Sequence, residues 1–316
     1  MVDAPALLLE SGIDPGVAGW TCLTPPACAR GQSPVWLGIE DRLYWLDTGL
    51  QRLWRLHVPS GHSEWRELPQ TPGGLMPCRR GGWLLALRDG VYHLPAWDLP
   101  LQRIAEAPYD VRRCRFDAAV CDPWGRLWLA SSAEACEHVD GALYCLRARD
   151  RQRPELVLVR SGWPTSAALV WSVDGQTLYW TDGTANALWA LPMLDPARWP
   201  PQLGAPMPSH RLLANAGNTG RLAGATVDRD GRYWVAREAG ARVQCLSPSG
   251  HVLLELPLPV RSPTAVVFGG PDLRSLFVVS ARQHRSASEL NAHPNSGAVF
   301  ARRLAVTGVP AARYWD

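Results

Sequence analysis

Along this chain short apolar runs alternate with polar turns, and the alternation itself repeats. Six segments carry one signature: RLYWLD (Arg42 to Asp47), GWLLAL (Gly82 to Leu87), RLWLAS (Arg126 to Ser131), TLYWTD (Thr177 to Asp182), RYWVAR (Arg232 to Arg237) and SLFVVS (Ser275 to Ser280). Their third positions stand 40, 44, 51, 55 and 43 residues apart, the length of one propeller blade. Runs this short, rich in aromatic and β-branched residues and bounded by Gly, Pro and Asp, signal strands. Each segment follows an apolar strand that ends in a turn, as in SPVWLGIED, AAVCDPWG and AGATVDRDG, and precedes a third strand such as RLWRL, GVYHL or RVQCL. A fourth strand is predicted in HSEWREL, LQRIA, PELVLV, HRLLA and HVLLEL.

Four strands in each of six units predict an all-β, six-bladed β-propeller. The sixth unit has no fourth strand after Leu304. Closing the ring removes exposed edges, so that strand is expected from the N-terminal leader, at Trp20 to Thr24 or Ala6 to Glu10. Leader and closing strand thus occupy 1–30, the propeller 31–306, and a C-terminal tail, expected to pack against the outside of the ring, 307–316.

Composition narrows the class. Hydrophobic residues make up 47% and charged residues 19%, which excludes a disordered chain. The net charge of +3 is small and its arginines are scattered, which argues against a nucleic-acid partner. Lys is absent altogether, so Schiff-base chemistry on lysine is excluded. The eight cysteines form no C-x-x-C pair and are expected to be reduced, mostly buried thiols. The leader lacks a basic n-region, and no apolar run approaches the roughly 18 residues of a membrane span. The expectation is a cytoplasmic monomer or weak oligomer that binds a small molecule, with no membrane partner.

In a propeller the innermost strands line the axis, and their entrances share one face with the loops between second and third strands. That face should collect Gln32, Gly73, Asp117, Ala167, Ala223 and Thr264 from the entrances. The loops should add Asp47, Arg88, Glu134, His138, Asp182, Arg237, Arg282, His284, Glu289, Asn291 and His293. Arg115 and Asp117, at i and i+2 of an extended segment, address one space. A structural ion pair at the mouth is the competing reading of these two. His138, His284 and His293 are candidates for substrate contact and acid–base work, whereas His57, His62, His93, His210 and His251 fall in outer strands or their turns. No G-x-S-x-G nucleophile elbow is present, and neither Ser33 nor Cys114 has a recognisable base beside it.

The segments GQSPVW, RFDAAVCDPWGRLW with DGALYCL, SAALVWSVDGQTLYWTD, GATVDRDGRYWVA and SPTAVVFGGPDLRSLFVVSAR occur in the order seen in one known family. The chain resembles gluconolactonase, regucalcin (senescence marker protein) and luciferin-regenerating enzyme from Gly31 onward. That resemblance implies a lactone hydrolase with a divalent metal on the propeller axis, held by a Glu in G-E-x-P-V-W, an Asn in S-N-G-L and an Asp in P-D-G. Here those positions fall on Gln32, Ala167 and Ala223. A hard cation needs several oxygen ligands, usually carboxylates, and one amide with two methyl groups is a poor replacement. No metal and no other cofactor is therefore expected. The family's R-x-N-D substrate motif is half kept, with Arg115 matched, Asp117 in place of Asn and Ala118 in place of Asp, and Glu134 matches an acidic residue of the blade-three loop.

The resulting expectation is a metal-independent enzyme acting on a small polar metabolite by lactone or ester hydrolysis or a related acid–base reaction. Arg115 would bind an oxygen, Asp117 or Glu134 would move protons, and Gln32 would orient the substrate. The alternative is a non-catalytic propeller that binds a ligand or partner. A third reading keeps a cation through Asp117, Gln32 and waters.

Overall fold

The strand-forming runs pair with their sequence neighbours as antiparallel meanders. A computed structural model, describing residues 19–133, 141–148, 154–163, 165–211 and 220–316, arranges them as six four-stranded sheets around one axis. From the axis outward, blade one is β2 (Gly31–Leu37), β3 (Arg42–Asp47), β4 (Arg52–His57) and β5 (His62–Glu67). Blade two is β6 (Pro72–Pro77), β7 (Trp83–Leu87), β8 (Gly90–Leu94) and β9 (Gln102–Glu106). Blade three is β10 (Cys114–Cys121), β11 (Leu127–Ala133), β12 (Gly141–Arg147) and β13 (Glu155–Trp163). Blade four is β14 (Ala168–Trp171), β15 (Thr177–Asp182), β16 (Ala187–Pro192) and β17 (Met207–Arg211). Blade five is β18 (Arg221–Val227), β19 (Tyr233–Glu238), β20 (Arg242–Leu246) and β21 (Val252–Pro257). Blade six is β22 (Pro263–Gly269), β23 (Ser275–Ser280) and β24 (Val299–Arg303), completed by β1 (Thr21–Cys22).

The closing strand therefore comes from the Trp20 to Thr24 segment, with Thr21 opposite Ala301 and Cys22 opposite Phe300. Trp20 pins it by donating its indole N–H to Pro257 O at 2.7 Å. The other candidate, Ala6 to Glu10, lies outside the described residues. In blade four the outer strand includes the start of the HRLLA run and ends at Arg211, where the described residues stop. No helix of the described residues is long and apolar enough to cross a membrane.

Burial follows strand position. Second strands such as β7 and β19 are buried at every residue, because blades cover both of their faces, whereas outer β5 alternates toward solvent. The aromatic residues fill the gaps between blades: Tyr44 packs on Trp83 at 4.3 Å, Trp36 stacks on Phe277 at 5.5 Å, and Trp128 meets Trp171 edge-on at 5.3 Å. Near the axis there is no room for side chains between some innermost strands. A Cβ on Gly73 would stand 1.9 Å from Phe116 O, and one on Gly224 2.3 Å from Ala265 Cβ. Six of the described cysteines are buried free thiols, and Cys22 is exposed.

The tail departs from expectation. It does not run along the outside of the ring. It crosses the face formed by the turns between first and second strands, passing from blades six and five to blades two and three. Gly308 N–H bonds Leu273 O at 2.8 Å, Arg229 N–H bonds Thr307 O at 2.9 Å, Tyr314 pairs with Cys78, and Trp315 N–H bonds Gly125 O at 2.9 Å. Burial of Tyr314 among Cys78, Leu84 and Leu127 drives this path. Its hydroxyl has no hydrogen-bond partner among the described residues. Tyr314→Phe is accordingly expected to raise stability by roughly 1 kcal/mol, seen as a melting temperature about 2 °C higher, because it deletes an unpaired buried hydroxyl and keeps the ring.

Candidate functional site at the propeller axis

A repeated irregularity aims residues at the axis. In five of the six innermost strands the register slips near the entrance: between Gln32 and Val35, Pro72 and Gly74, Phe116 and Ala118, Leu222 and Ala225, and Pro263 and Ala265. A bulge leaves its extra residue unpaired and re-aims its side chain. The bulged residues include Gly73, Asp117, Ala223 and Thr264, which the sequence places at the mouth. Between the strands runs a cavity of about 570 Å³, lined at the entrance end by Gln32, Asp117, Ala167 and Thr264 and lower down by Pro34, Ala119 and Ala225. Tail residues Val309 to Arg313 floor it. Its size suits a small metabolite.

Asp117 is the polar centre of this mouth. Arg115 Nε donates to its Oδ1 at 2.9 Å, and Ser132 Oγ–H donates to its Oδ2. Ser132, buried on β11, stands directly opposite Arg115 in the ladder, which explains the reach. Both members of the ion pair keep a solvent-facing part, with side-chain exposures of 34% for Arg115 and 17% for Asp117. The carboxylate is thus oriented from two sides while open to the cavity.

Other mouth residues serve their own loops. Buried Asp47 accepts the backbone N–H groups of Ala29 at 2.8 Å, Gly49 at 3.0 Å and Leu50 at 3.1 Å. Asp182 accepts those of Thr184 and Ala185 at 2.9 and 2.8 Å. Arg237 donates to Gly220 O at 2.7 Å and Asn186 Oδ1 at 3.1 Å, and burial pulls its guanidinium down to about 10. Thr264 Oγ–H is held by Gly31 O at 2.5 Å and ties blade six to blade one. His284 is exposed, and His293 ends the short helix α1 (Ala287–Ala292) with Nδ1 3.2 Å from Pro259 O; among the described residues no hydrogen bond or ion pair joins either to Asp117. Glu134 and His138 lie outside the described residues.

A second charged group was missed by sequence reasoning. Glu238, at the mouth end of β19, accepts a bidentate bond from Arg30, with Nη2 to Oε2 at 3.0 Å, and has Arg221 Nη2 at 3.6 Å and Arg285 Nη2 at 3.9 Å. Burial raises its carboxyl, but these guanidiniums outweigh burial and hold it below the usual glutamate value of 4.5. A carboxylate depressed in the folded state stabilises above its unfolded value and loses that contribution as pH falls through the folded one. The stability difference between wild type and Glu238→Gln should therefore be constant above about pH 5.5 and shrink on acidification below the usual glutamate range, as measured by urea titrations at a series of pH values.

Comparison with known proteins places this site in context. The model of the SMP-30/Gluconolactonase/LRE-like region matches residues 30–282. The chain belongs to the SMP-30/gluconolactonase/LRE-like family. It is 36% identical over 290 residues to a 6-deoxy-6-sulfogluconolactonase of Pseudomonas putida, covering 91% of this chain and 95% of the relative. It is 27% identical to pentonolactonase XacC of Haloferax volcanii, over 92% of this chain and 96% of that protein. The crystal structure of the calcium-binding protein regucalcin from Agrobacterium tumefaciens superposes with a TM-score of 0.83 at 26% identity, over 94% of this chain and 97% of that one. At the positions where the SMP-30/gluconolactonase/LRE-like family is expected to hold its cation, this member offers Gln32 and the methyl groups of Ala167 and Ala223, the last fully enclosed. That donor set does not fit a hard divalent ion. Among the described residues, the one grouping of three metal-ligating side chains is Cys78, His93 and Asp316, at the tail side of the ring.

Proposed function

We propose that this protein hydrolyses a small, polar sugar lactone at the mouth of the axial cavity, using acid–base groups in place of a bound cation. The observation that carries this reading is the Asp117 carboxylate, fixed by Arg115 and Ser132 yet open to the cavity. Asp117 takes a proton from water as the water oxygen bonds to the lactone carbonyl carbon. Arg115 stabilises the negative charge that develops on the carbonyl oxygen, the ring C–O bond breaks, and the proton passes to the departing ring oxygen. Gln32, on the innermost strand of blade one, orients the substrate. The sulfonated gluconolactone named for the Pseudomonas putida relative and the pentonolactone named for the Haloferax volcanii one support a sugar-acid lactone as substrate class.

The methyl groups at 167 and 223 favour a second reading, a propeller that binds such a molecule without turning it over. Proton release from a panel of sugar lactones, followed with purified protein before and after exhaustive chelation, decides between them. Activity that survives chelation unchanged, with no stoichiometric metal by elemental analysis, is expected. Loss of activity on chelation, restored by a divalent ion, overturns the metal-free chemistry. Binding of the hydroxy acid with no hydrolysis of any lactone selects the second reading.

A further inference from the structure

Among the described residues, one side of the mouth gathers more guanidiniums than carboxylates. Arg30 immediately precedes β2, Arg221 opens β18 opposite Glu238 in the ladder, and Arg285 comes from the blade-six loop. All three surround one carboxylate, Glu238, whose side chain is 5% exposed. Arg285 Nε and Arg261 Nε then share a second carboxylate, Glu289, at 3.7 and 3.9 Å. Four guanidiniums therefore meet two carboxylates. Glu238 is held in its charged form, so the imbalance is already counted with that glutamate ionised.

Such clustering is costly unless something else occupies it. Like charges repel most strongly where solvent is partly excluded, and Arg30 and Arg285 have side-chain exposures of only 24% and 18%. Arg285 Nε and Glu289 Oε1 are both buried atoms without a hydrogen-bond partner among the described residues. Arg221, by contrast, is 65% exposed and reaches Glu238 only at 3.6 Å, so its fork remains available to solvent. Blade six lies across the ring from blade three, which puts this cluster on the far side of the mouth from Arg115 and Asp117.

We infer that Arg221 and Arg285, backed by Arg30, form an anion subsite for a tetrahedral oxyanion, a sulfonate or phosphate, at the end of the substrate remote from its lactone carbonyl. Planar, multi-donor guanidiniums match such oxygens in geometry and charge. Glu238 fixes Arg30 by a bidentate bond and leaves Arg221 as the exposed donor. The inference rests on the lactonase reading for the identity of the substrate's other end, and its test is separable from that reading because binding needs no turnover.

The test is calorimetric titration of the full chain with gluconate, 6-deoxy-6-sulfogluconate and 6-phosphogluconate, in wild type, Arg221→Gln, Arg285→Gln and Glu238→Gln. Wild type is expected to prefer one of the two sugar acids that carry a second anionic group over gluconate by at least about ten-fold, and the preferred one names the oxyanion. Arg221→Gln and Arg285→Gln should each remove about ten-fold of that preference without weakening gluconate, and Glu238→Gln, which deletes a competing carboxylate, should increase it. Equal affinity for all three ligands in wild type, or a preference untouched by both arginine changes in variants that melt normally, overturns the subsite. If binding follows the expected pattern while no lactone is hydrolysed, the lactonase reading fails and the subsite stands.

Discussion

Asp117→Asn is expected to lower kcat for lactone hydrolysis roughly a hundred- to ten-thousand-fold, the range associated with loss of a positioned general base. Asn keeps the shape: its Oδ1 can still accept from Arg115 Nε while its amide N–H donates to Ser132 Oγ, so the fold and KM should change little. What it loses is the ability to take a proton from water. Ser132→Ala should do less, lowering kcat about ten-fold with KM unchanged, because the hydroxyl acts only by holding Asp117 Oδ2. Arg115→Lys should fall between them, since an ammonium keeps the charge and loses the fixed direction of Nε. Steady-state rates on the best lactone of the panel, with melting curves for each variant, check the order. A wild-type kcat in Asp117→Asn would move the base elsewhere and remove the present mechanism.

The ring was legible in the sequence because its signal is repeated. A single run such as TLYWTD is ambiguous between a strand and a buried helix turn, but six copies at blade-length spacing are not. The closing strand was legible for a related reason: after Leu304 the sixth unit had an edge to cover, and the leader held short apolar runs that could cover it. The tail was not legible. VTGVPAARYWD has no periodicity, and its path across the ring is fixed by one aromatic ring finding a hole between blades two and three.

At the site, the pairing of Arg115 with Asp117 followed from spacing alone, although the strand is bulged at Asp117 and not evenly pleated. Ser132 was hidden because its role depends on register, and register is set by the bulge. Glu238 was hidden for a stronger reason. Its partners Arg30, Arg221 and Arg285 are far apart in the chain and meet only because blades five, six and one close around the axis. Conversely, Asp47, Asp182 and Arg237 looked available for chemistry in sequence. Each is consumed by backbone groups of its own or a neighbouring loop, a demand that every tight connection makes and that composition does not display.

The same demand, met at the other end of the ring, predicts the largest loss of stability. Asp122, with a side chain wholly shielded from solvent, closes the first turn of blade three by accepting Trp124 N–H at 3.0 Å, Arg126 N–H at 2.9 Å, Arg126 Nε at 2.5 Å and Trp128 Nε1 at 2.8 Å. Asp228 does the same in blade five for Asp230 and Arg232 N–H, Arg232 Nη1 and Trp234 Nε1. The two sites differ in what remains once the aspartate is gone. Among the described residues Arg126, 8% exposed, keeps one hydrogen bond, to Pro196 O at 3.1 Å, beside the rings of Trp124 and Trp128, whereas Arg232, 15% exposed, retains the Asp230 carboxylate at 2.6 Å. Asp122→Ala strands a buried cation and an indole N–H together, which should cost about 4 kcal/mol. Asp228→Ala leaves its arginine a carboxylate and should cost about 2 kcal/mol. Urea midpoints at constant m measure both. Equal losses would mean that the residual partner of Arg232 contributes nothing, and a loss below about 1 kcal/mol at Asp122 would mean that water reaches Arg126 once the carboxylate is removed.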